Sequence, residues 1–473
     1  MAEHYDVIVI GGGPAGENVV DRAVRGGLTA AVVEERLVGG ECSYFACIPS
    51  KALLRPVEIL AAARRLPGAA EAVHGSVDAA ATLARRDSWT GGGDDSGQVR
   101  WLAGVPADLV RGHGRLTRAR TVAVETPEGR TVELTARRAV VLATGSVPSV
   151  PPIPGLREAA PWTNREATTT ESVPRRLAIL GGGVVAVEMA QAFAGLGAEQ
   201  VTVIERGPRL LPRYPEFASR LLTDSLRADG VDVRAGVSAE RVDRPEPAGE
   251  VTVTLSDGGR VVADELLAAL GRRPGTADLG LETVGLEPGR YVEVDDTLRA
   301  TGVPEGWLYA VGDANGRSLL THMGKYQARI AGDVIAARAA GRDTDAPRFH
   351  DLADGLAVPQ VVFTDPQVCA VGRTPEEART AGLDVRVVEY DLGSVSGAGL
   401  LADGYIGCAQ LVVDETRRVV VGAIFVGQDT AELVHAATIA IVGEVPLERL
   451  WHAVPSFPTV SEIWLRLLET YGL

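Results

Sequence analysis

A strand, a glycine-rich turn and a helix follow one another at the start of the chain, and this arrangement restricts the fold strongly. The apolar run at residues 7–10 is typical of a strand buried on both faces. Gly11, Gly13 and Gly16 follow in a G-x-G-x-x-G pattern, and the next apolar run ends at Glu34. Such glycines let the backbone approach a pyrophosphate at the helix N-terminus, and the carboxylate binds a ribose. The stretch therefore predicts a dinucleotide-binding βαβ unit.

A second unit of the same kind is predicted near the middle of the chain. Gly181, Gly183 and Ala186 follow an apolar strand, and Glu205 ends the next strand. A single glycine pattern has little specificity, but here the strand, the helix and the terminal acid are in register both times. Two such units predict two bound dinucleotides.

Shorter stretches complete the prediction of the fold. Residues 139–146 form an apolar run that enters a turn at Thr144 and Gly145. A later apolar run ends at Asp313, whose carboxylate can bind a sugar hydroxyl. From about residue 346 the pattern changes to strands, a hairpin and a helix. We therefore predict an α/β chain with two Rossmann-like dinucleotide-binding domains and a separate C-terminal α+β domain.

Charge and composition exclude several other functions. The 473 residues carry a net charge of −15, and the arginines are scattered, which argues against nucleic acid or an anionic membrane as a partner. There is no basic n-region at the start and no apolar run of about 20 residues. Four cysteines are too few for a secreted disulfide framework. A cytoplasmic location is predicted, and residues 87–98 are predicted to form a surface loop.

Cys42 and Cys47 form the pattern that bears most directly on chemistry. Structural zinc needs about four ligands, and neither a second cysteine pair nor a histidine cluster supplies them, so no metal is predicted. In a regular helix this spacing leaves the Cα atoms roughly 7 Å apart, so a disulfide would need a distorted turn. The adjacent glycines and Pro49 suit such a turn. The position just after the first nucleotide unit favours a redox centre over inert buried thiols.

The order of motifs along essentially the whole chain resembles the pyridine-nucleotide–disulfide oxidoreductases. The motifs are GxGxxG, GGxCxxxxCxPSK, ATGS, GxGxxA, YAxGD and a C-terminal α+β domain. That family includes dihydrolipoamide dehydrogenase, glutathione reductase and mercuric reductase. The resemblance implies FAD on the first unit, NAD(P)H on the second, and a homodimer. Electrons would pass from NAD(P)H through FAD to a Cys42–Cys47 disulfide, and from there to a small-molecule electron acceptor.

The resemblance also implies domain boundaries and cofactor residues. The FAD-binding domain would comprise residues 1–155 and 289–345, the NAD(P)H-binding domain residues 156–288, and the dimerisation domain residues 346–473. The FAD-binding residues would be Gly11, Gly13, Gly16, Glu34, Gly40, Thr144, Gly145, Asp313 and His322. The NAD(P)H-binding residues would be Gly181, Gly183, Ala186, Glu205 and Gly271.

The choice between NADH and NADPH depends on residues around the second unit. Glu205 would bind a ribose hydroxyl and repel a 2′-phosphate. Ala186 in the third glycine position is commoner in NADPH enzymes, and Arg206 and Arg209 are near in sequence. We give the negative charge of Glu205 more weight than the small size of Ala186. NADH is therefore the predicted cofactor, and NADPH is the alternative.

Six residues are implied in catalysis: Cys42, Cys47, Lys51, Glu188, Phe457 and Glu462. By the resemblance, Cys47 faces the flavin and Cys42 meets the acceptor. Lys51 would pair with Glu188 beside the flavin, where a compact ammonium fits and a planar guanidinium does not. Of the 47 lysine and arginine residues, only Lys51 and Lys325 are lysines. The rarity of lysine in this chain indicates a specific requirement for it at position 51.

Phe457 is the main departure from the family pattern. The family has a His-Pro-Thr segment here, followed by a glutamate; Pro458, Thr459 and Glu462 match, but phenylalanine replaces the histidine acid–base. Phenylalanine cannot transfer a proton, and acid–base help is typically worth about 10²–10⁴ in rate. We expect Glu462 to find another donor or a proton. His452 is a nearby candidate for a substitute base.

The residues around the cysteines also differ from the family pattern. Glu41 stands where threonine is usual and is expected to turn away from the FAD pyrophosphate; Tyr44 and Phe45 are expected to form an aromatic mouth with Phe457. Tyr44 is a further candidate acid–base. The acceptor is predicted to be a disulfide or another small molecule. The alternatives are a quinone reductase or oxidase with an accessory disulfide, and a non-catalytic flavin redox sensor.

Overall fold

The computed structural model describes residues 3–473, which form alternating strands and helices along most of their length. The strands are β1 Glu3–Ile10, β2 Ala30–Glu34, β3 Asp108–Arg111, β4 His113–Arg118, β5 Thr121–Glu125, β6 Thr131–Leu142, β7 Ser146–Pro148, β8 Arg176–Leu180, β9 Gln200–Glu205, β10 Asp232–Ala235, β11 Ala239–Asp243, β12 Val251–Leu255, β13 Arg260–Ala263, β14 Glu265–Ala268, β15 Arg272–Pro274, β16 Leu308–Ala310, β17 Gln360–Val362, β18 Gln367–Gly372, β19 Val385–Asp391, β20 Cys408–Asp414 and β21 Val419–Gly427. The helices are α1 Pro14–Arg25, α2 Gly40–Tyr44, α3 Cys47–Arg64, α4 Ala79–Thr90, α5 Ser96–Gly104, α6 Asn164–Thr169, α7 Val184–Gly195, α8 Glu216–Ala228, α9 Thr321–Ala339, α10 Pro375–Thr380, α11 Ser396–Gly399, α12 Leu433–Val442, α13 Leu447–Leu450 and α14 Ile463–Tyr471. Among these helices, none has the length and apolar character needed to cross a membrane.

The chain divides into two compact units, and the first is built on one mixed sheet. This unit comprises the described residues up to 49, with residues 87–149 and 271–354. Its strands run in the order β3-β2-β1-β6-β5-β4, with β16 also paired to β6. β1 is parallel to β2 and β6 and is buried along its second half, because its side chains contact apolar groups on both faces of the sheet.

The second unit contains three sheets and comprises residues 50–86, 150–270 and 355–473. A parallel sheet, β10-β9-β8-β14, carries the second glycine-rich turn, and β11-β12-β13 form an antiparallel sheet. The C-terminal part is an antiparallel sheet in the order β17-β18-β21-β20-β19, in which β20 and β21 form the predicted hairpin. The finer domain boundaries stay a prediction.

Two local predictions from the sequence are wrong. Residues 87–98 are not a loop: α4 runs to Thr90, a 3₁₀ turn covers Gly91–Gly93, and α5 begins at Ser96. Arg86 is buried, and its guanidinium donates to the carbonyl groups of Thr168 and Thr170 at the end of α6. These contacts fix α4 and outweigh the polar composition of the segment. Asp313 does not end a strand either, because β16 stops earlier and Gly312–Asn315 is a 3₁₀ turn.

Candidate functional site

The first glycine-rich turn leaves no room for side chains. Gly11 has a φ of +104°, and a Cβ added there would lie 2.4 Å from the Ala143 carbonyl oxygen. A Cβ on Gly16 would lie 1.9 Å from the Gly11 carbonyl oxygen, so α1 packs directly against the strand. Gly13 caps α1 without a side-chain hydrogen bond, and a Cβ on Gly40 would come within 2.8 Å of the Gly13 Cα atom. The turn therefore presents backbone N–H groups and the positive end of α1 to an anion.

Polar groups surround this turn within the first unit. Glu34 accepts hydrogen bonds from the N–H groups of Gly12 and Arg36, each at 2.7 Å, and burial raises its pKa. Asp313 accepts a hydrogen bond from the Ser146 hydroxyl, and burial raises its pKa too. The Thr144 Oγ1 atom is buried with no hydrogen-bond partner within residues 3–473.

The second turn repeats the geometry in the second unit. Gly181 has a φ of +106°, and a Cβ there would lie 2.4 Å from the Ala269 carbonyl oxygen. Gly183 caps α7 without a side-chain hydrogen bond, and Ala186 is fully buried. Glu205 accepts a hydrogen bond of 2.5 Å from the Gly207 N–H. The turn can therefore hold a second dinucleotide in the manner of the first.

Gly271 and His322 lie in the first unit. Gly271, with a φ of +99°, precedes Arg272, whose guanidinium donates to the Ser146 hydroxyl at 2.7 Å. Gly271 therefore does not belong to the unit that holds the other predicted NAD(P)H residues. His322 is the second residue of α9 and is exposed.

A break between two helices brings the cysteines together. α2 ends at Tyr44, Phe45 has a φ of −133°, and α3 begins at Cys47. Cys42 and Cys47 are free thiols that are not joined by a disulfide. The hydrogen bond between the two thiols, together with burial, raises the pKa of Cys42. The Cys47 Sγ atom is 3.3 Å from the Thr321 Oγ1 atom at the start of α9. The interruption of the helix is the distorted turn that a reversible disulfide requires.

Lys51 and Glu188 meet inside the second unit. The ammonium is 2.6 Å from Oε2 of Glu188, whose exposed fraction is 3%. The other carboxylate oxygen accepts a hydrogen bond of 2.9 Å from the Phe363 N–H, and the Lys51 ammonium lies 4.8 Å from the centre of the Phe363 ring. The buried carboxylate is thus satisfied by one cation and one backbone donor.

The segment that carries Phe457 is exposed, whereas the glutamate after it is not. Phe457 has an exposed fraction of 75%, and His452 is also exposed. Glu462 is buried and accepts a hydrogen bond of 2.6 Å from the Arg466 guanidinium. Arg466 thus donates to Glu462 in place of the histidine that the family pattern has at position 457. The other carboxylate oxygen, Oε2 of Glu462, has no hydrogen-bond partner within the described chain.

Tyr44 and Glu41, which lie beside the cysteines in the sequence, are held by contacts within the first unit. Tyr44 is buried, and its hydroxyl donates to the Val38 carbonyl oxygen at 3.1 Å. The expected aromatic mouth is therefore wrong for Tyr44, because its ring is not accessible and its hydroxyl is engaged. Glu41 lies 3.6 Å from the Arg272 guanidinium.

Comparison with known proteins identifies the family. The family model "Pyridine nucleotide-disulphide oxidoreductase" matches residues 5–331, and the dimerisation domain of the same family matches residues 358–467. This chain belongs to the pyridine nucleotide-disulphide oxidoreductases. Members of this family use FAD and NAD(P)H, and the adjacent cysteines fit a redox-active disulfide.

Relatives of this oxidoreductase span nearly the whole chain. Dihydrolipoyl dehydrogenase of Thermus scotoductus is 33% identical over 97% of this chain and 95% of its own length. Mercuric reductase of Staphylococcus aureus is 30% identical over 97% of this chain and 81% of its own length. The Cu(II) complex of the flavoprotein disulfide reductase RclA of Escherichia coli superimposes with a TM-score of 0.84, at 25% identity, over 99% of both chains.

The residues of this oxidoreductase fit the cofactors of the family. The close approach of Gly13 and Gly40 leaves backbone N–H groups for a pyrophosphate, and the unpartnered Thr144 hydroxyl can bind a polar group of FAD. Phe363 and Arg466 contribute to the site, but neither is among the predicted site residues. Phe363 acts through a backbone contact with a carboxylate far away in the sequence, which only the folded chain creates, whereas Arg466 pairs with Glu462 one helical turn before it, a spacing that the sequence does contain.

Proposed function

We propose that this oxidoreductase takes electrons from NADH and, through FAD and the Cys42–Cys47 pair, reduces a small acceptor that needs no proton from position 457. The observation that carries the proposal is an exposed Phe457 in the segment that precedes Glu462, together with the pairing of that glutamate with Arg466. A side chain without a labile proton cannot protonate a leaving thiolate. Thiol–disulfide exchange is therefore the reaction that suffers most, and an apolar acceptor such as a quinone suffers least.

The cysteines have distinct proposed roles. Cys47 faces the flavin and Cys42 meets the acceptor. The hydrogen bond between the thiols and the Thr321 hydroxyl beside Cys47 support a pair that passes electrons as a unit. Bound FAD would supply the chemistry that links hydride transfer from the nicotinamide to reduction of the sulfur atoms.

Lys51 and Glu188 are proposed to supply a fixed positive charge for the flavin site. A buried carboxylate with two donors holds the ammonium in one position. A positive charge held in place at low dielectric stabilises developing negative charge without reorganisation.

NADH is the proposed nucleotide. Arg209 donates to the carbonyl oxygens of Leu211, Pro212 and Tyr214, at 3.4, 3.0 and 2.7 Å, so its guanidinium is occupied by the backbone. Glu205 remains at the end of β9, where a 2′-phosphate would meet a negative charge.

The proposed assembly is a homodimer formed by residues 346–473, with FAD on residues 1–155 and 289–345 and the nucleotide on residues 156–288. The match of the dimerisation domain to residues 358–467 supports this assignment. By the resemblance to the family, Phe457 would face Cys42 of the partner subunit in this two-fold dimer.

The test is a panel of NADH oxidation assays with the FAD-loaded protein. The acceptors are a quinone, oxygen, lipoamide and oxidised glutathione. Reduction of the quinone well above that of both disulfides supports the proposal. Lipoamide turnover at least equal to that of the quinone contradicts it, and no turnover with any acceptor favours the flavin redox sensor instead.

A further inference from the structure

A small basic cavity lies at the C-terminal ends of α1 and α9, within the first unit. Its volume is about 210 Å³. Four guanidinium groups and one carboxylate line it, on a chain whose net charge is −15. The charged lining residues are Arg22, Arg25, Arg342, Arg348 and Asp333. Positive charge is concentrated here against the overall balance of the protein, and such a concentration attracts anions.

Close packing of the two helices brings these side chains together. A Cβ atom on Gly332 of α9 would lie 2.5 Å from the Cβ atom of Arg22, and a Cβ atom on Gly26 would overlap the Ala336 side chain. The helices approach this closely only because both positions are glycine. Arg22 then donates two hydrogen bonds to Asp333, from Nε at 2.7 Å and from a terminal nitrogen at 2.5 Å. This bidentate ion pair holds the Arg22 guanidinium in one orientation.

Two of the four guanidinium groups are paired with a carboxylate and two are not. Arg22 is paired with Asp333. Arg25 donates at 2.9 Å to the aspartate one helical turn before it on α1. Arg342 and Arg348 form no ion pair within residues 3–473. The lining therefore carries two positive charges that no ion pair neutralises.

The residues that carry the two unpaired charges are each anchored. The N–H of Arg342 donates to the Ala337 carbonyl oxygen at 2.9 Å, which fixes the backbone just after α9. The Arg348 guanidinium lies 4.4 Å from the centre of the buried Phe349 ring. Stacking on an aromatic ring engages the face of a guanidinium and leaves its in-plane N–H groups available to an anion.

The carbonyl groups at these two helix ends do not cancel the positive charge. The last carbonyl oxygens of α1 accept hydrogen bonds from the N–H groups of residues 26–28, and those of α9 accept from residues 340–342. A helix C-terminus carries about half a negative charge at most. Two helix ends together are therefore weaker than two unpaired guanidinium groups, and the cavity stays positive.

We propose that this cavity binds a phosphate group, either as a free anion or as part of a small ester. Arginine binds phosphate through paired N–H donors, and two unpaired guanidinium groups match the charge of about −2 that a phosphate monoester carries near pH 7. The volume is below the roughly 300–1,000 Å³ of sites for drug-sized ligands, which favours a small anion over a dinucleotide. This inference goes beyond the proposed function and does not depend on it.

The cavity is separate from the turn that serves the FAD. The glycine-rich turn lies at the N-terminus of α1, and the cavity lies at the opposite end of the same helix. α1 has 12 residues, so the two are roughly 18 Å apart along its axis. A phosphate in the cavity is therefore not the pyrophosphate of the flavin cofactor.

The test is isothermal titration calorimetry of the FAD-loaded protein at constant ionic strength. FAD fills the first dinucleotide site and saturating NAD⁺ fills the second, so neither site competes for the probe. The probes are inorganic phosphate, pyrophosphate and glycerol 3-phosphate, and the tightest of the three identifies the source of the phosphate group. At least one should bind once per chain with a Kd below about 1 mM. Acetate, with a single charge, should bind at least about tenfold more weakly.

Two cavity variants and one control complete the test. Arg342→Gln and Arg348→Gln should each weaken binding of the tightest probe about tenfold, and both side chains are exposed, so the fold should persist. Arg329→Gln, exposed on α9 and outside the cavity lining, should leave the Kd unchanged. Binding too weak to reach about 1 mM, unchanged binding in both cavity variants, or equal weakening in the control overturns the proposal. Failure of the proposed function would appear separately, in the acceptor assays.

Discussion

Replacement of Lys51 by methionine should lower the free energy of unfolding by about 2–3 kcal/mol. The ammonium is 2.6 Å from a carboxylate that is almost completely buried, and the methionine side chain keeps the packing of the lysine stem. After the substitution, the Phe363 N–H at 2.9 Å is the remaining donor to Glu188. The cost arises from a buried charge that has lost its counterion.

The magnitude follows from the exposure of the two partners. Loss of one member of a fully buried ion pair costs about 3–5 kcal/mol. The Lys51 side chain is 34% exposed, so solvent already screens part of the attraction and the cost is lower. Glu188→Gln should cost only about 1 kcal/mol, because a partly exposed ammonium can turn to water.

Urea unfolding of the FAD-loaded protein, for both single variants and the double variant, measures these values as a cycle. The double variant should be more stable than the sum of the single effects implies, by at least about 1 kcal/mol. Arg55→Met, one turn further along α3, breaks an exposed pair with Glu58 and should cost at most about 1 kcal/mol. A Lys51→Met variant as stable as the unsubstituted protein, or strictly additive single effects, would refute the reasoning.

Three further predictions concern turnover and spectra. Phe457→His should raise lipoamide turnover at least about tenfold and change quinone turnover little, and an unchanged ratio of the two rates would contradict the role given to this position. Two-electron reduction should give a long-wavelength absorbance band from the Cys47 thiolate beside the flavin; anaerobic titration should show it in the unsubstituted protein and not in Cys47→Ser. The value of kcat/KM should be higher with NADH than with NADPH, and Glu205→Ala should bring the two values closer together. A tenfold preference for NADPH in the unsubstituted protein would exclude NADH as the proposed nucleotide.

The elements that the sequence predicts well have strong local requirements. The two glycine-rich turns are recognisable because a Cβ on Gly11, Gly16 or Gly181 would meet backbone atoms of the adjoining strand or turn. β2 ends at Glu34 and α9 begins at Thr321, as the patterns indicate. In these cases the sequence signal spans only a few residues, although the backbone that Gly11 and Gly181 must avoid belongs to Ala143 and Ala269, far along the chain.

The features that were missed depend on contacts between distant parts of the chain. The helical course of residues 87–98 depends on burial of Arg86, whose guanidinium reaches the carbonyl groups of Thr168 and Thr170. The Phe363 N–H reaches Glu188 across 175 positions. Neither periodicity nor composition carries such information, because each contact exists only after the chain has folded.

The ion pair between Glu462 and Arg466 has a consequence for assembly. Both residues belong to the same helical stretch at the end of the chain, one turn apart, so the carboxylate is neutralised by its own subunit. A subunit can therefore complete this part of its fold before it meets a second copy. Dilution that separates the subunits would therefore leave this buried charge compensated.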